Sequence, residues 1–155
     1  MNFLDYILAQ DSIPQTITTS YGDDEQTVPQ DYAQAVCDGF MKLGLRGTSV
    51  MFSSGDSGVG GGNCLSNDGK NTKQFLPDFP ASCTRFDPLF PFSFILSKSG
   101  PYVTTVGGTN GTSPEQAVYF SGGGFSNYFT QPSYQSGAVS GFLNAIGTQY
   151  SGLFK

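Results

Sequence analysis

The chain has 155 residues, of which 21 are glycine, 9 are proline and none is histidine. Charged residues make up only 12% and leave a net charge of −5, so the basic surface typical of nucleic-acid-binding proteins is not expected. Without histidine, neither a Ser-His-Asp triad nor a Cys-His dyad forms within this chain, and the commonest metal ligand is missing.

The first part of the chain predicts a strand–helix–strand unit. Residues 16–20 are rich in threonine and predict a strand, and residues 49–53 predict a second one. Between them an apolar face recurs at helical spacing, and Gly44 follows it as a C-terminal glycine. The residues of that face are Tyr32, Val36, Phe40 and Leu43. A helical connection of this kind implies a parallel strand pair with a right-handed crossover.

The other predicted elements are shorter. Residues 2–9 predict a helix, residues 102–106 a third strand, and residues 139–150 a last amphipathic helix. Thr27 and Gln30 have the spacing of a capping box at the start of the central helix.

Small polar residues follow both predicted parallel strands. The carboxyl ends of parallel strands meet at one edge of a sheet, where ligands bind in open α/β folds. The first strand ends at Ser20, Tyr21 and Gly22, and the second ends at Ser54, Gly55 and Asp56. The sequence therefore predicts one polar, glycine-rich cluster at this edge.

Residues 55–58 read GDSG, the motif around the nucleophile of chymotrypsin-like proteases. Those enzymes are β-barrels whose serine depends on a histidine base. This chain has no histidine, and its GDSG follows a strand of parallel type. We therefore reject that interpretation.

Several blocks of sequence occur together in a fixed order: TTSYGDDEQTVP, SVMFSSGDSGVGG, FLPDFPASC, PYVTTVGGT, SGGGFSNYF and QPSYQSGAVSGFL. In this respect the chain resembles the sedolisins, serine-carboxyl peptidases that include fungal tripeptidyl-peptidases. The resemblance implies an α/β, subtilisin-like fold with a parallel sheet flanked by helices. It also implies a secreted, monomeric peptidase that acts on peptides or proteins in acid, as an endopeptidase or a tripeptidyl-peptidase.

The resemblance assigns roles to the predicted cluster. Asp56 corresponds to the oxyanion-hole residue, residues 20–22 to the segment that binds the substrate backbone, and Ser54 and Gly55 to a wall of the specificity pocket. A carboxyl group donates a hydrogen bond only when it is protonated. Because an ordinary aspartate is ionised above about pH 4, an oxyanion hole built on aspartate implies work at low pH.

The remaining parts of the family's catalytic machinery are expected outside residues 1–155. By the resemblance, the catalytic Glu and Asp lie upstream, and the nucleophilic serine and the calcium site lie downstream, so no cofactor is expected within this chain. Residues 111–114, Gly-Thr-Ser-Pro, follow VGGTN directly, which in the family is a connecting loop, so Ser113 is not assigned as the nucleophile. We expect the middle of a catalytic domain, inactive alone; the alternative is a non-catalytic peptide-binding remnant of the same fold.

Three further features allow alternatives. In a secreted protein, Cys64 and Cys83 are expected to form a disulfide, and Cys37 is either a small buried residue or paired with a cysteine outside this chain. Residues 23–25, Asp-Asp-Glu, are expected to form a solvated acidic loop rather than a metal site.

Residues 84–100 separate two blocks that are contiguous in the family. They are interpreted either as translated intron sequence or as a lineage-specific insertion. The longest largely apolar run, residues 89–96, lies within them and is far shorter than the roughly 20 residues that a membrane helix needs. No membrane interaction is expected. The first residues do not form a signal peptide, so the signal of a secreted protein is expected upstream of them.

Overall fold

The computed structural model describes residues 2–83 and 102–154, so the predicted insertion at residues 84–100 lies outside the described residues. The helices are α1 (Asn2–Leu8), α2 (Gln30–Leu45) and α3 (Ser136–Ile146). The strands are β1 (Thr16–Thr19), β2 (Asp23–Asp24), β3 (Ser49–Ser53), β4 (Asp78–Phe79), β5 (Thr104–Val106), β6 (Thr109–Asn110) and β7 (Gln116–Ala117).

A three-stranded parallel sheet in the order β1-β3-β5 forms the centre of the fold. Thr19 lies opposite Phe52, and Ser53 lies opposite Val106, so all three strands end at the same edge. Two antiparallel ribbons, β2-β4 and β6-β7, complete the sheets of the described residues. The predicted α/β fold and the parallel pair joined by a helix are confirmed.

The core lies where α2 packs on the sheet and α1 packs on α2. Alternate residues of β3, Val50 and Phe52, point into it, because successive side chains of a strand face opposite sides. Phe40 of α2 meets Phe52 edge to face, with ring centroids 5.2 Å apart. Tyr32, which was predicted to lie on the buried face of α2, is 44% exposed. Ala33 is buried on that face in its place.

The ends of α2 differ from the prediction. No side chain caps its start, where Pro29 is the N-cap residue. Thr27 instead donates its hydroxyl to the Asp24 carbonyl at 2.8 Å, because Glu25–Thr27 form a 3₁₀ turn. At the other end the helix continues past Gly44, which was predicted as the C-terminal glycine. Gly47, with φ of +88°, is the glycine that follows the helix end with a positive φ.

The predicted Cys64–Cys83 disulfide is wrong, because the structure pairs Cys37 with Cys83. Their Cα atoms are 5.4 Å apart, and both residues are fully buried between α2 and the chain after β4. Cys64 is a free thiol in a local turn, where its amide donates to the Gly60 carbonyl at 2.7 Å. The long-range packing of α2 selects the pair, and spacing along the chain carries no information about it.

α3 begins three residues before the predicted final helix, residues 139–150, and ends four residues before its predicted end. Its apolar face is not enclosed by the described residues. Phe142 is 47% exposed and Leu143 is 41% exposed. The ring of Phe142 contacts Phe125 and Phe154, with centroids 6.1 and 6.0 Å away. No helix in the described ranges is both long and apolar enough to cross a membrane.

Candidate active site

The edge where the parallel strands end carries a cleft of about 290 Å³. All six residues predicted to meet at this edge line it: Ser20, Tyr21, Gly22, Ser54, Gly55 and Asp56. The geometry follows from the sheet, because two neighbouring parallel strands deliver their next residues to one place. The catalytic and substrate-binding roles of these residues stay predictions.

Asp56 is exposed at this cleft. Two residues earlier, the buried Ser54 is anchored to the sheet, because its amide donates to the Val106 carbonyl at 3.0 Å. Gly55 turns the chain out of the strand with φ of +89°, a conformation that suits glycine. Asp56 therefore projects from a fixed strand end, and Tyr21, 77% exposed, lines the same cleft from the end of β1.

A further carboxylate, Asp78 of β4, lies in the cleft between the two glycines of the predicted cluster. A Cβ atom on Gly55 would overlap the Asp78 carboxylate, and one on Gly22 would lie 3.1 Å from Oδ2 of Asp78. Burial raises the pKa of the Asp78 carboxyl to about 6. The negative charges of neighbouring aspartates act in the same direction, in the order Asp24, Asp23 and Asp56.

Four carboxylates thus line or border one small cleft, and its chemistry changes with pH. Burial and, after it, the charge of Asp23 also raise the pKa of Asp24. Protonation relieves repulsion among groups this close and supplies O–H donors. In the described ranges, no group of three or more acidic or cysteine side chains has the arrangement needed to hold a metal ion.

A glycine-rich segment, residues 121–129, packs against Ser54 and Gly55, which line the cleft. The Gly122 amide donates to the Gly55 carbonyl at 2.9 Å, and a Cβ atom on Gly122 would overlap the Ser54 carbonyl oxygen. The hydroxyls of Ser54 and Ser121 lie 3.4 Å apart. This close backbone contact explains why the sequence has glycine here.

Glu25 is not part of a solvated acidic loop, contrary to the prediction. Asp23 is exposed, but Glu25 is fully buried. Its carboxylate accepts hydrogen bonds from the Ser126 hydroxyl at 2.5 Å and from the Asn127 amide at 2.7 Å. No local feature of the sequence predicts this burial, since both partners lie about a hundred residues further along the chain.

Asp78 was also missed, although it stands within the quoted block FLPDFPASC. Its place in the cleft depends on the pairing of β2 with β4, which two-residue strands do not reveal in a sequence. Gly22 and Gly55 were the available signal, because each lacks a side chain where the Asp78 carboxylate lies.

Fungal peptidases are similar to nearly the whole chain. The chain is 48% identical over 147 residues to tripeptidyl-peptidase SED2 of Arthroderma otae, which covers 95% of this chain and 22% of that protein. It is 46% identical over 146 residues to tripeptidyl-peptidase sed4 of Aspergillus fumigatus, covering 93% of this chain and 22% of that protein. The chain thus spans about a fifth of the length of these curated relatives. A scan against protein-family models finds no match.

Among solved structures, the fold is similar to Pseudomonas sedolisin, a serine-carboxyl proteinase complexed with two molecules of pseudo-iodotyrostatin. The TM-score is 0.60 at 25% identity, and the match covers 89% of this chain and 37% of that one. Sequence similarity to the fungal enzymes, the shared fold and the ordered motif blocks agree. The chain is homologous to a central stretch of the longer fungal tripeptidyl-peptidases, and its fold is sedolisin-like.

Proposed function

We propose that this chain forms the substrate cleft and oxyanion hole of an acid-acting, serine-type peptidase that removes tripeptides. The observation that carries the proposal is the meeting of Asp56 with residues 20–22 in one cleft at the carboxyl edge of a sedolisin-like sheet. The names of the fungal relatives support tripeptidyl-peptidase action.

The proposed reaction is acyl transfer. A serine hydroxyl from outside residues 1–155 attacks the scissile carbonyl, and the tetrahedral intermediate carries a negative oxygen. The protonated carboxyl of Asp56 donates a hydrogen bond to that oxygen. The serine proton passes, through the carboxylates expected outside residues 1–155, to the nitrogen of the amine that the intermediate expels. Water then hydrolyses the acyl-enzyme.

The edge strand supports the peptide-binding part of the proposal. β1 has a neighbour on one side only within the described sheet, and an extended peptide adds to such an edge through main-chain hydrogen bonds. Residues 20–22 continue β1 into the cleft. The substrate is therefore a peptide in extended conformation.

Two features support action in an acidic, oxidising compartment outside the cell. The buried Cys37–Cys83 disulfide is of a kind that persists in oxidising environments. Protonation of the cleft carboxylates, with Asp78 titrating near pH 6, lowers their mutual repulsion in acid.

A chimera tests the proposal. In the Arthroderma otae SED2 protein, this chain replaces the matched segment, with and without residues 84–100. We expect tripeptide release from an unblocked peptide at acid pH and none from the 155-residue chain alone. Release by neither chimera, despite correct folding, would refute the peptidase proposal; peptide binding by the chain alone would then favour the non-catalytic remnant.

A further inference from the structure

Glu25 stands out because it is a fully buried acidic residue beside an exposed, acidic cleft. The 3₁₀ turn Glu25–Thr27 places it directly after β2. Its amide donates to the Pro77 carbonyl at 2.9 Å, which ties the turn to the residue before Asp78. A buried carboxylate is costly unless its oxygens are hydrogen-bonded.

Both oxygens of Glu25 accept hydrogen bonds from one short segment. Oε1 accepts from the Ser126 hydroxyl and Oε2 from the Asn127 amide. Oγ of Ser126 in turn accepts from the amides of Tyr128 and Phe129, at 3.1 and 3.0 Å. The carboxylate therefore fixes the whole turn that ends the glycine-rich segment.

The arrangement requires a carboxylate rather than an amide. The Ser126 hydroxyl has two lone pairs, and two backbone amides already use them. The hydroxyl can therefore only donate a hydrogen bond to residue 25, and the Asn127 amide is likewise only a donor. In Glu25→Gln the side-chain NH₂ group would face one of these donors without an acceptor, and a buried unsatisfied donor is destabilising.

The segment held by Glu25 contacts the residues that carry Asp56. Its other end places the Gly122 amide 2.9 Å from the Gly55 carbonyl and leaves no room for a side chain above Ser54. Ser54 and Gly55 immediately precede Asp56, so a shift of the segment moves the oxyanion-hole residue.

We infer that Glu25 is a positioning residue, whose buried carboxylate holds the glycine-rich segment against Ser54 and Gly55 and so fixes Asp56 in the cleft. This inference rests on the proposed peptidase function for its catalytic consequence. Its structural part concerns only how Glu25 holds residues 121–129 against Ser54 and Gly55, and it does not depend on catalysis.

The first measurement is structural and does not depend on catalysis. Amide hydrogen exchange is recorded by NMR on the full 155-residue chain, with Glu115→Gln as the matched control because Glu115 is exposed. We expect Glu25→Gln to lose protection at Asn127 and Gly122 while the α2 amides stay protected. Unchanged protection at Asn127 and Gly122 would overturn the inference whether or not the chain belongs to a peptidase.

The second measurement is kinetic and uses the active SED2 chimera. We expect Glu25→Gln to lower kcat per folded molecule by about 100-fold, the cost of a misplacement near 1 Å, with KM within about threefold. A merely structural role would lower the yield of folded enzyme and leave its kcat unchanged, and that result would overturn the inference. If Glu25→Gln does not fold, Ser126→Ala, which removes one donor to the carboxylate, is measured against the same expectation.

Discussion

The pH dependence of stability provides a sharp test of the cleft electrostatics, with Asp78→Asn as the perturbation. The pKa of Asp78 rises from 3.8 to about 6 in the folded chain. The full shift corresponds to about 3 kcal/mol, and solvent screening of this half-buried group reduces the effect to about 1–2 kcal/mol.

The sign follows from proton linkage. The folded chain holds a proton on Asp78 more tightly than the unfolded chain does, so Asp78 lowers stability as the pH rises from about 4 to about 6. Below pH 4 the carboxyl is neutral in both states, and the penalty is absent. We therefore expect Asp78→Asn to match the wild type near pH 3.5 and to exceed its free energy of unfolding by about 1–2 kcal/mol at pH 7.

The assay is urea denaturation followed by circular dichroism between pH 3.5 and 7.5, with the disulfide oxidised. Asp11→Asn, on the exposed turn after α1, controls for the loss of one negative charge. Identical pH profiles for Asp78→Asn and the wild type would refute the reasoning. So would a difference in the free energy of unfolding, Asp78→Asn minus wild type, that is smaller at pH 7 than at pH 4.

Two further predictions concern covalent and steric constraints. Replacing Cys37 and Cys83 together by alanine should lower the free energy of unfolding by about 4 kcal/mol, because the disulfide spans a separation of 46 residues. Cys64→Ala should change the free energy of unfolding far less. Peptide mapping without reductant that finds Cys64 in the disulfide would contradict this prediction. Gly122→Ala should destabilise the chain, because the added Cβ atom would overlap a backbone carbonyl oxygen. Gly141→Ala, in open space on α3, should instead stabilise the chain by about 0.5–1 kcal/mol. Thermal melts that rank the two variants in the opposite order would contradict this geometry.

The sheet edge was predictable because the rules that define it are local. A strand, an amphipathic helix and a second strand imply a parallel pair, and parallel strands bring their following residues together. This is why Ser20 and Asp56 were predicted to lie in one place from sequence alone, although 36 positions separate them.

The missed residues depend on contacts between distant segments. Asp23 and Glu25 are neighbours of similar chemistry, yet one is exposed and the other is buried against Ser126. The disulfide shows the same limit: Cys83 bonds to Cys37 on a packed helix rather than to Cys64, which is nearer in sequence. Tertiary packing decides both outcomes, and spacing along the chain does not encode it.

Turnover by Asp56 variants of the SED2 chimera tests the central claim most directly. We expect Asp56→Ala to lower kcat at acid pH by roughly 10²–10³-fold, the usual cost of removing one oxyanion donor. Asp56→Asn keeps an N–H donor at the same place and should retain a larger part of the activity. A kcat for Asp56→Ala within threefold of the parent chimera would contradict the role assigned to Asp56.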